Sequence, residues 1–127
     1  SFKRATEIEP NYFEAHNKLG ITLVDLNQCE DAIEHLEWAV AYKYDFYEAH
    51  NNLGVANKKL GKISEAAKNF EKAIEIFPNY ILALLNLGTC LADLGQKDEA
   101  AKSFEKVLAI EPDNSQAQKN LKELSAN

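Results

Sequence analysis

The chain has 127 residues, 27% of them charged, a net charge of −6 and only two cysteines. This acidic balance argues against nucleic acid as the main ligand, because phosphate binding rests on clustered positive charge. No apolar run is long enough for a membrane span, and Cys29 and Cys90 occupy unrelated positions that suit buried small hydrophobes rather than a disulfide.

In chain order, residues 1–12 copy the end of a later segment. Phe2, Ala5, Glu7, Ile8, Pro10, Asn11 and Tyr12 match Phe70, Ala73, Glu75, Ile76, Pro78, Asn79 and Tyr80. The chain therefore reads as opening partway through a helix, as a piece of a longer repeat protein would. Phe2, Ala5 and Ile8 form an apolar strip without its usual covering helix, so fraying or self-association through this end is expected. Over 13–26, the set Ala15, Leu19, Gly20, Leu23 and Leu26 has helical spacing along one stripe. Further helices are predicted at 30–43, 47–60, 64–76, 81–94, 98–110 and 115–124.

Gly20, Gly54 and Gly88 stand 34 residues apart, and other series keep step. Alanine recurs at 15, 49, 83 and 117, leucine at 19, 53, 87 and 121, and Ala32, Ala66 and Ala100 precede Leu36, Phe70 and Phe104. A fixed period of this length means one helical hairpin copied and stacked. A mid-helix glycine costs roughly 1 kcal/mol relative to alanine, so its recurrence predicts that another helix passes too close for a side chain. Glu30, Ser64 and Asp98 are expected to cap the second helix of each unit, and Asn11, Asp45, Asn79 and Asp113 the first. Proline directly before three of the latter stops the preceding helix.

The pattern Leu53-Gly54, Ala66, Phe70, Ala73, Pro78, repeated as Leu87-Gly88, Ala100, Phe104, Val107, Pro112, resembles the tetratricopeptide repeat. The family's frequent aromatic before the leucine–glycine pair is His16, His50 or Leu84 here. In the first unit Tyr44 replaces the proline, and Asn27 the turn glycine seen at Gly61 and Gly95. The resemblance covers the whole chain. It implies an all-α, right-handed helix–turn–helix solenoid in one domain: 1–12 the end of a truncated repeat, 13–46, 47–80 and 81–114 full repeats, and 115–127 a capping helix. Lys122 in the glycine slot fits a cap with one polar face.

The residues offer no catalytic constellation, phosphate loop or cofactor motif. His16 and His50 occupy equivalent slots that stacking could bring near one another, but no cluster supplies further metal ligands. His35, between Glu34 and Glu37, reads as solvated. A non-catalytic protein-interaction module without cofactor or metal is the expectation, in the cytoplasm, with a protein or peptide as partner.

Within each first helix, one face lies opposite the packing stripe. The resemblance implies that it lines a concave, peptide-binding groove. The face carries Asn17, Lys18 and Ile21, then Asn51, Asn52, Val55 and Lys59, then Leu82, Leu85, Asn86 and Thr89. Asn52, Asn86 and Asn120 make a ladder whose amides can both donate to and accept from a peptide backbone. Leu82 and Leu85 either pack under the capping helix or form an apolar pocket. Trp38, with Tyr42 one turn later, stands where other units have Lys72 and Lys106 and is a candidate outer anchor. Some family members clamp chaperone C-terminal carboxylates with lysine, asparagine and arginine at the places held here by Asn17, Ile21, Asn52, Leu82 and Asn86. Only Asn52 fits. The alternatives to a peptide groove are the substrate-recognition array of a larger enzyme, such as a glycosyltransferase, and a self-assembling scaffold.

Overall fold

The computed structural model describes residues 12–126. The expectations for residues 1–11, a truncated unit, a cap at Asn11 and an apolar strip at Phe2, Ala5 and Ile8, lie outside the described residues. Seven helices follow: α1 Tyr12–Asp25, α2 Cys29–Tyr42, α3 Tyr47–Lys59, α4 Ile63–Ile76, α5 Ile81–Asp93, α6 Lys97–Ile110 and α7 Ser115–Ala126. Each predicted span is met to within a residue or two at its ends.

Each pair closes through the same turn. Asn27, Gly61 and Gly95 have φ of 65°, 82° and 81°, the left-handed conformation that asparagine tolerates and glycine adopts freely. The next residue reaches back five positions, Gln28 N to Leu23 O, Lys62 N to Asn57 O and Gln96 N to Leu91 O, at 2.8–2.9 Å. This closes the last turn of α1, α3 and α5 on their own carbonyls. The predicted side-chain caps fare differently. Gln28, Lys62 and Gln96 occupy the N-caps of the second helices and make no side-chain cap bond, which puts Glu30, Ser64 and Asp98 inside the first turn. There the carboxylates act on the helix dipole rather than as caps. Phe46 and Tyr80, not Asp45 and Asn79, precede α3 and α5. At α7 the cap is Asn114, whose Oδ1 accepts from Ala117 N at 2.9 Å, one residue beyond the expected Asp113.

Packing explains the glycine period. A Cβ on Gly20 would lie 2.6 Å from Leu36, and on Gly54 or Gly88 it would overlap the Phe70 or Phe104 ring. Those three large side chains are fully buried, each lying across its own pair's glycine. Between pairs, Ala49 and Leu53 of α3 join Leu36 and Ala39 of α2 in one core, and Ala117 of α7 joins Phe104 and Val107 of α6 in another. The matching slots of α1 depart from expectation: Ala15 is exposed and Leu19 is 43% exposed. In α3 and α5 that side is covered by the preceding pair's second helix, and no described element crosses it in α1. Leu26, at the α1–α2 turn, is also exposed rather than part of the stripe.

The helices stack unequally. α1 touches α3, α3 touches α5 and α5 touches α7, whereas α2 and α4, or α4 and α6, do not meet among the described residues. Layers closer on one side must curve, so the first helices line the inner face and the second helices the outer one. No described helix is long and apolar enough to cross a membrane.

Leucine placed in two equivalent slots tests this packing. Gly54→Leu drives a side chain into Phe70 and should cost about 1–3 kcal/mol or more. Lys122→Leu adds the same side chain at an exposed position and should stay within about 0.5 kcal/mol. Urea denaturation of the two variants should rank them in that order.

Candidate functional site: the inner face

The inner face is assembled from one side of α1, α3, α5 and α7, and its asparagines are not independent. Asn52 Nδ2 donates to Asn17 Oδ1 at 2.8 Å, and Asn86 Nδ2 donates to Asn51 Oδ1 at 3.1 Å. The expected ladder thus becomes two rungs tying each first helix to the next. Asn17 and Asn51 are buried, and Asn52 and Asn86 half-buried. Each rung leaves a donor, Nδ2 of Asn17 or Asn51, and an acceptor, Oδ1 of Asn52 or Asn86, unengaged by described residues. The third position breaks the series. The residue facing Asn120 by the same 35-residue offset is Leu85, which has no acceptor. Asn120 Oδ1 takes a bond from Gln116 Nε2 at 3.2 Å, while its buried Nδ2 has no partner.

The two leucines divide. Leu85 is half-buried and packs into the core that Ala117 and Leu121 share with α6, whereas Leu82 is 57% exposed. Ile21 is 40% exposed and Val55 half-buried, so an interrupted apolar track runs beside the rungs. Lys18 and Lys59 are exposed. Glu14, Lys18 and Glu48 border a cleft of about 210 Å³ between α1 and α3, with Asn17 and Phe46 also lining it. Lys58, which the sequence reading passed over in favour of Lys59, is the lysine that crosses the face: its Nζ donates to the Thr89 hydroxyl on α5. Thr89 in turn donates to Asn86 O at 2.9 Å. The helical step of 100° selects Lys59 for this face, and packing brings Lys58 across to α5.

On the other side, stacking does not unite His16 with His50. His16 faces His35 across the α1–α2 pair, Nδ1 to Nδ1 at 2.9 Å, one ring carrying the shared proton. His35 is therefore half-buried and paired, not simply solvated, because the α1–α2 interface carries it onto His16. Trp38 lies between His16 at 4.1 Å and Tyr42 at 4.3 Å, measured between ring centres, and is half-buried. Trp38 thus packs on Tyr42, although Tyr42 itself stays 53% exposed. His50 fills the family's aromatic slot by donating Nε2–H to Tyr44 O at 2.8 Å. Neither histidine site gathers a third metal-ligating group among the described residues. Cys29 and Cys90 are buried free thiols, and burial pushes the Cys90 thiol up.

Sequence profiles of the tetratricopeptide repeat match residues 17–81 and 59–124, each about half the chain. The chain belongs to the tetratricopeptide repeat family. Among solved structures, a crystal structure of MamA superposes with a TM-score of 0.88 at 28% identity, over 99% of this chain and 74% of that one. The second tetratricopeptide domain of human RPAP3, solved in complex with the HSP70 peptide SGPTIEEVD, superposes with a TM-score of 0.86 at 30% identity, over 91% of this chain and 98% of that one. The Arabidopsis OM64 domain, at 24% identity and a TM-score of 0.87, shares the fold, covering 92% of this chain. No curated protein matches the sequence.

The histidines make stability pH-dependent. Burial, then the charge of His35, lowers the pKa of His16; burial, then Lys72 against the opposing Tyr44 bond, lowers that of His50. A folded pKa below the unfolded value means that the unfolded chain binds protons first as pH falls. Their contribution is complete above the unfolded pKa of about 6.5 and is lost as pH drops from there towards the lowered folded values, at up to about 1.4 kcal/mol per pH unit per histidine. Urea midpoints at pH 7.5 and 5.5 should show this decline, and His50→Gln should make it shallower.

Proposed function

We propose that the chain is a protein-interaction module whose inner face receives an extended peptide segment. The observation that carries this is the pair of asparagine rungs, each with one donor and one acceptor left over. A peptide group presents one carbonyl and one N–H, so two such rungs, one layer apart, match consecutive sections of an extended backbone. Leu82 and Leu85, with Val55 and Ile21, would then take apolar side chains, and Lys59 would favour a nearby acidic group. The RPAP3 domain, solved with a chaperone peptide, supports a peptide as the class of partner.

The acidic C-terminal tail of that peptide suits this chain poorly. Where a carboxylate clamp needs cations, the chain has Asn17, Leu82 and Asn86, Ile21 replaces one of its asparagines, and both asparagines of the first rung are tied to each other. A second reading rests on exposure at the opposite surface: Tyr42 and Tyr44 are 53% and 62% exposed, and Phe77 is 40% exposed. An aromatic edge of this kind suits an interface anchor.

Peptides selected from a phage-displayed library against the chain provide the test. Asn86→Ala should weaken a selected peptide by about 1–3 kcal/mol, and Leu85→Glu at least as much, with circular dichroism unchanged. Lys59→Glu should mainly alter association rate and salt dependence. Normal binding by all three, together with loss in Tyr44→Ala, would transfer the function to the outer aromatic edge. In fluorescence polarisation, SGPTIEEVD should bind at least about tenfold more weakly than a selected peptide, the 1.4 kcal/mol expected for absent charge-assisted bonds.

A further inference from the structure

At the α1 end of the inner face, Glu14, Lys18 and Glu48 border the cleft of about 210 Å³ between α1 and α3. Asn17, only 7% exposed, and Phe46 also line it. Asn17 Oδ1 is taken by Asn52, while its Nδ2 bonds to no described residue and keeps accessible surface. A nearly buried amide, half engaged and open to a cleft, points to an acceptor arriving from outside. Glu14 and Glu48 are exposed, and neither enters an ion pair among the described residues. Lys18 is the one described cation on the rim. Lys43, in the loop before α3, is balanced by Asp45 at 3.5 Å. Lys58 and Lys59 stand at the far end of α3, about 15 Å from Glu48 along the helix and well beyond a Debye length of roughly 8 Å. Two carboxylates against one ammonium leave the cleft negative.

We propose that this cleft takes an arginine or lysine side chain of the bound peptide. The inference rests on the peptide reading above and names the side-chain class that the α1 end of the same face selects. The cationic head lies between Glu14 on α1 and Glu48 on α3, and a planar guanidinium with five donors can face both at once. Its apolar stem passes over Phe46. The carbonyl of the same residue accepts from Asn17 Nδ2, which fixes where along the peptide the basic residue falls. Neighbouring first helices lie about 10 Å apart and an extended chain rises about 3.3 Å per residue. The apolar residue that meets Leu82, one layer on, therefore stands about three positions from the basic one. An uncharged polar side chain gains little from the two carboxylates. A glutamate is repelled by them.

Small capped amino acids separate this cleft from the second rung. A nitrogen-15-labelled chain is titrated with N-acetyl-arginine methylamide, its uncharged counterpart N-acetyl-citrulline methylamide, and N-acetyl-glutamate methylamide. The side-chain amide of Asn17 and the backbone amides of Glu14, Lys18 and Glu48 are followed by NMR. The arginine compound should shift these signals with a dissociation constant on the order of millimolar, as a ligand of its size allows. Citrulline should bind about fivefold more weakly, as should arginine to the Glu14→Gln, Glu48→Gln double variant, both altered residues being exposed. Glutamate should leave the signals unmoved. Equal responses to arginine and citrulline, no response at the Asn17 side chain, or an unaltered double variant would overturn the proposal. A single capped residue cannot reach the rung that Asn86 makes with Asn51. Failure of these compounds, with library peptides still sensitive to Asn86→Ala, rejects the cleft alone; their success, with peptides indifferent to Asn86→Ala, rejects the rung reading alone.

Discussion

The structure depends on a side chain with no room beside it. Leu36, Phe70 and Phe104 each lie across a glycine of the partner helix, close enough that a methyl group there would collide with them. The helix pays its propensity cost at that glycine because the approach lets a fully buried leucine or phenylalanine fill the space between the helices of a pair. Everything else follows from that short distance. Pairs of this thickness can stack only through the small residues that flank the interlock, which is why Ala49, Ala83 and Ala117 are fully buried.

Stacking then produces the surface. The first helices meet one another from layer to layer and the second helices do not, so the inner face is narrow enough for asparagine side chains to bond across it. The rungs therefore do two things at once. They satisfy polar groups that curvature has buried, and they hold the remaining donor and acceptor edges at fixed separation. A polar network organised in this way is better prepared for a ligand than separate flexible side chains, since less ordering remains to be done on binding. The series stops where leucine replaces asparagine at position 85, and the same substitution strengthens the core against α7.

The first pair is held differently from the others. Its interface carries the His16–His35 contact and Trp38, and in the next layer His50 reaches the Tyr44 carbonyl in the loop where other units have proline. Lys72 lies 4.7 Å over the Tyr44 ring, so this loop is fastened by a ring, a hydrogen bond and a cation in place of proline's rigid backbone. The same aromatic substitutions leave Tyr42 and Tyr44 exposed on the side away from the inner face.

Period, helix number, the glycine interlock and the left-handed turns could be read from the chain alone, because each is enforced locally or by spacing: 34 residues, a 3.6-residue stripe, a residue that accepts positive φ. The inner face was legible as a set of positions for the same reason. What tertiary structure decided was which of those groups meet. Asn52 finds Asn17 rather than open solvent, Lys58 rather than Lys59 crosses to Thr89, and His16 pairs with His35 rather than with His50. The caps at α3 and α5 moved by a residue, and Leu19 stayed exposed where its counterparts are covered. Such outcomes turn on the angle and offset between neighbouring helices, on the order of an ångström, and periodicity along one chain carries no record of that offset.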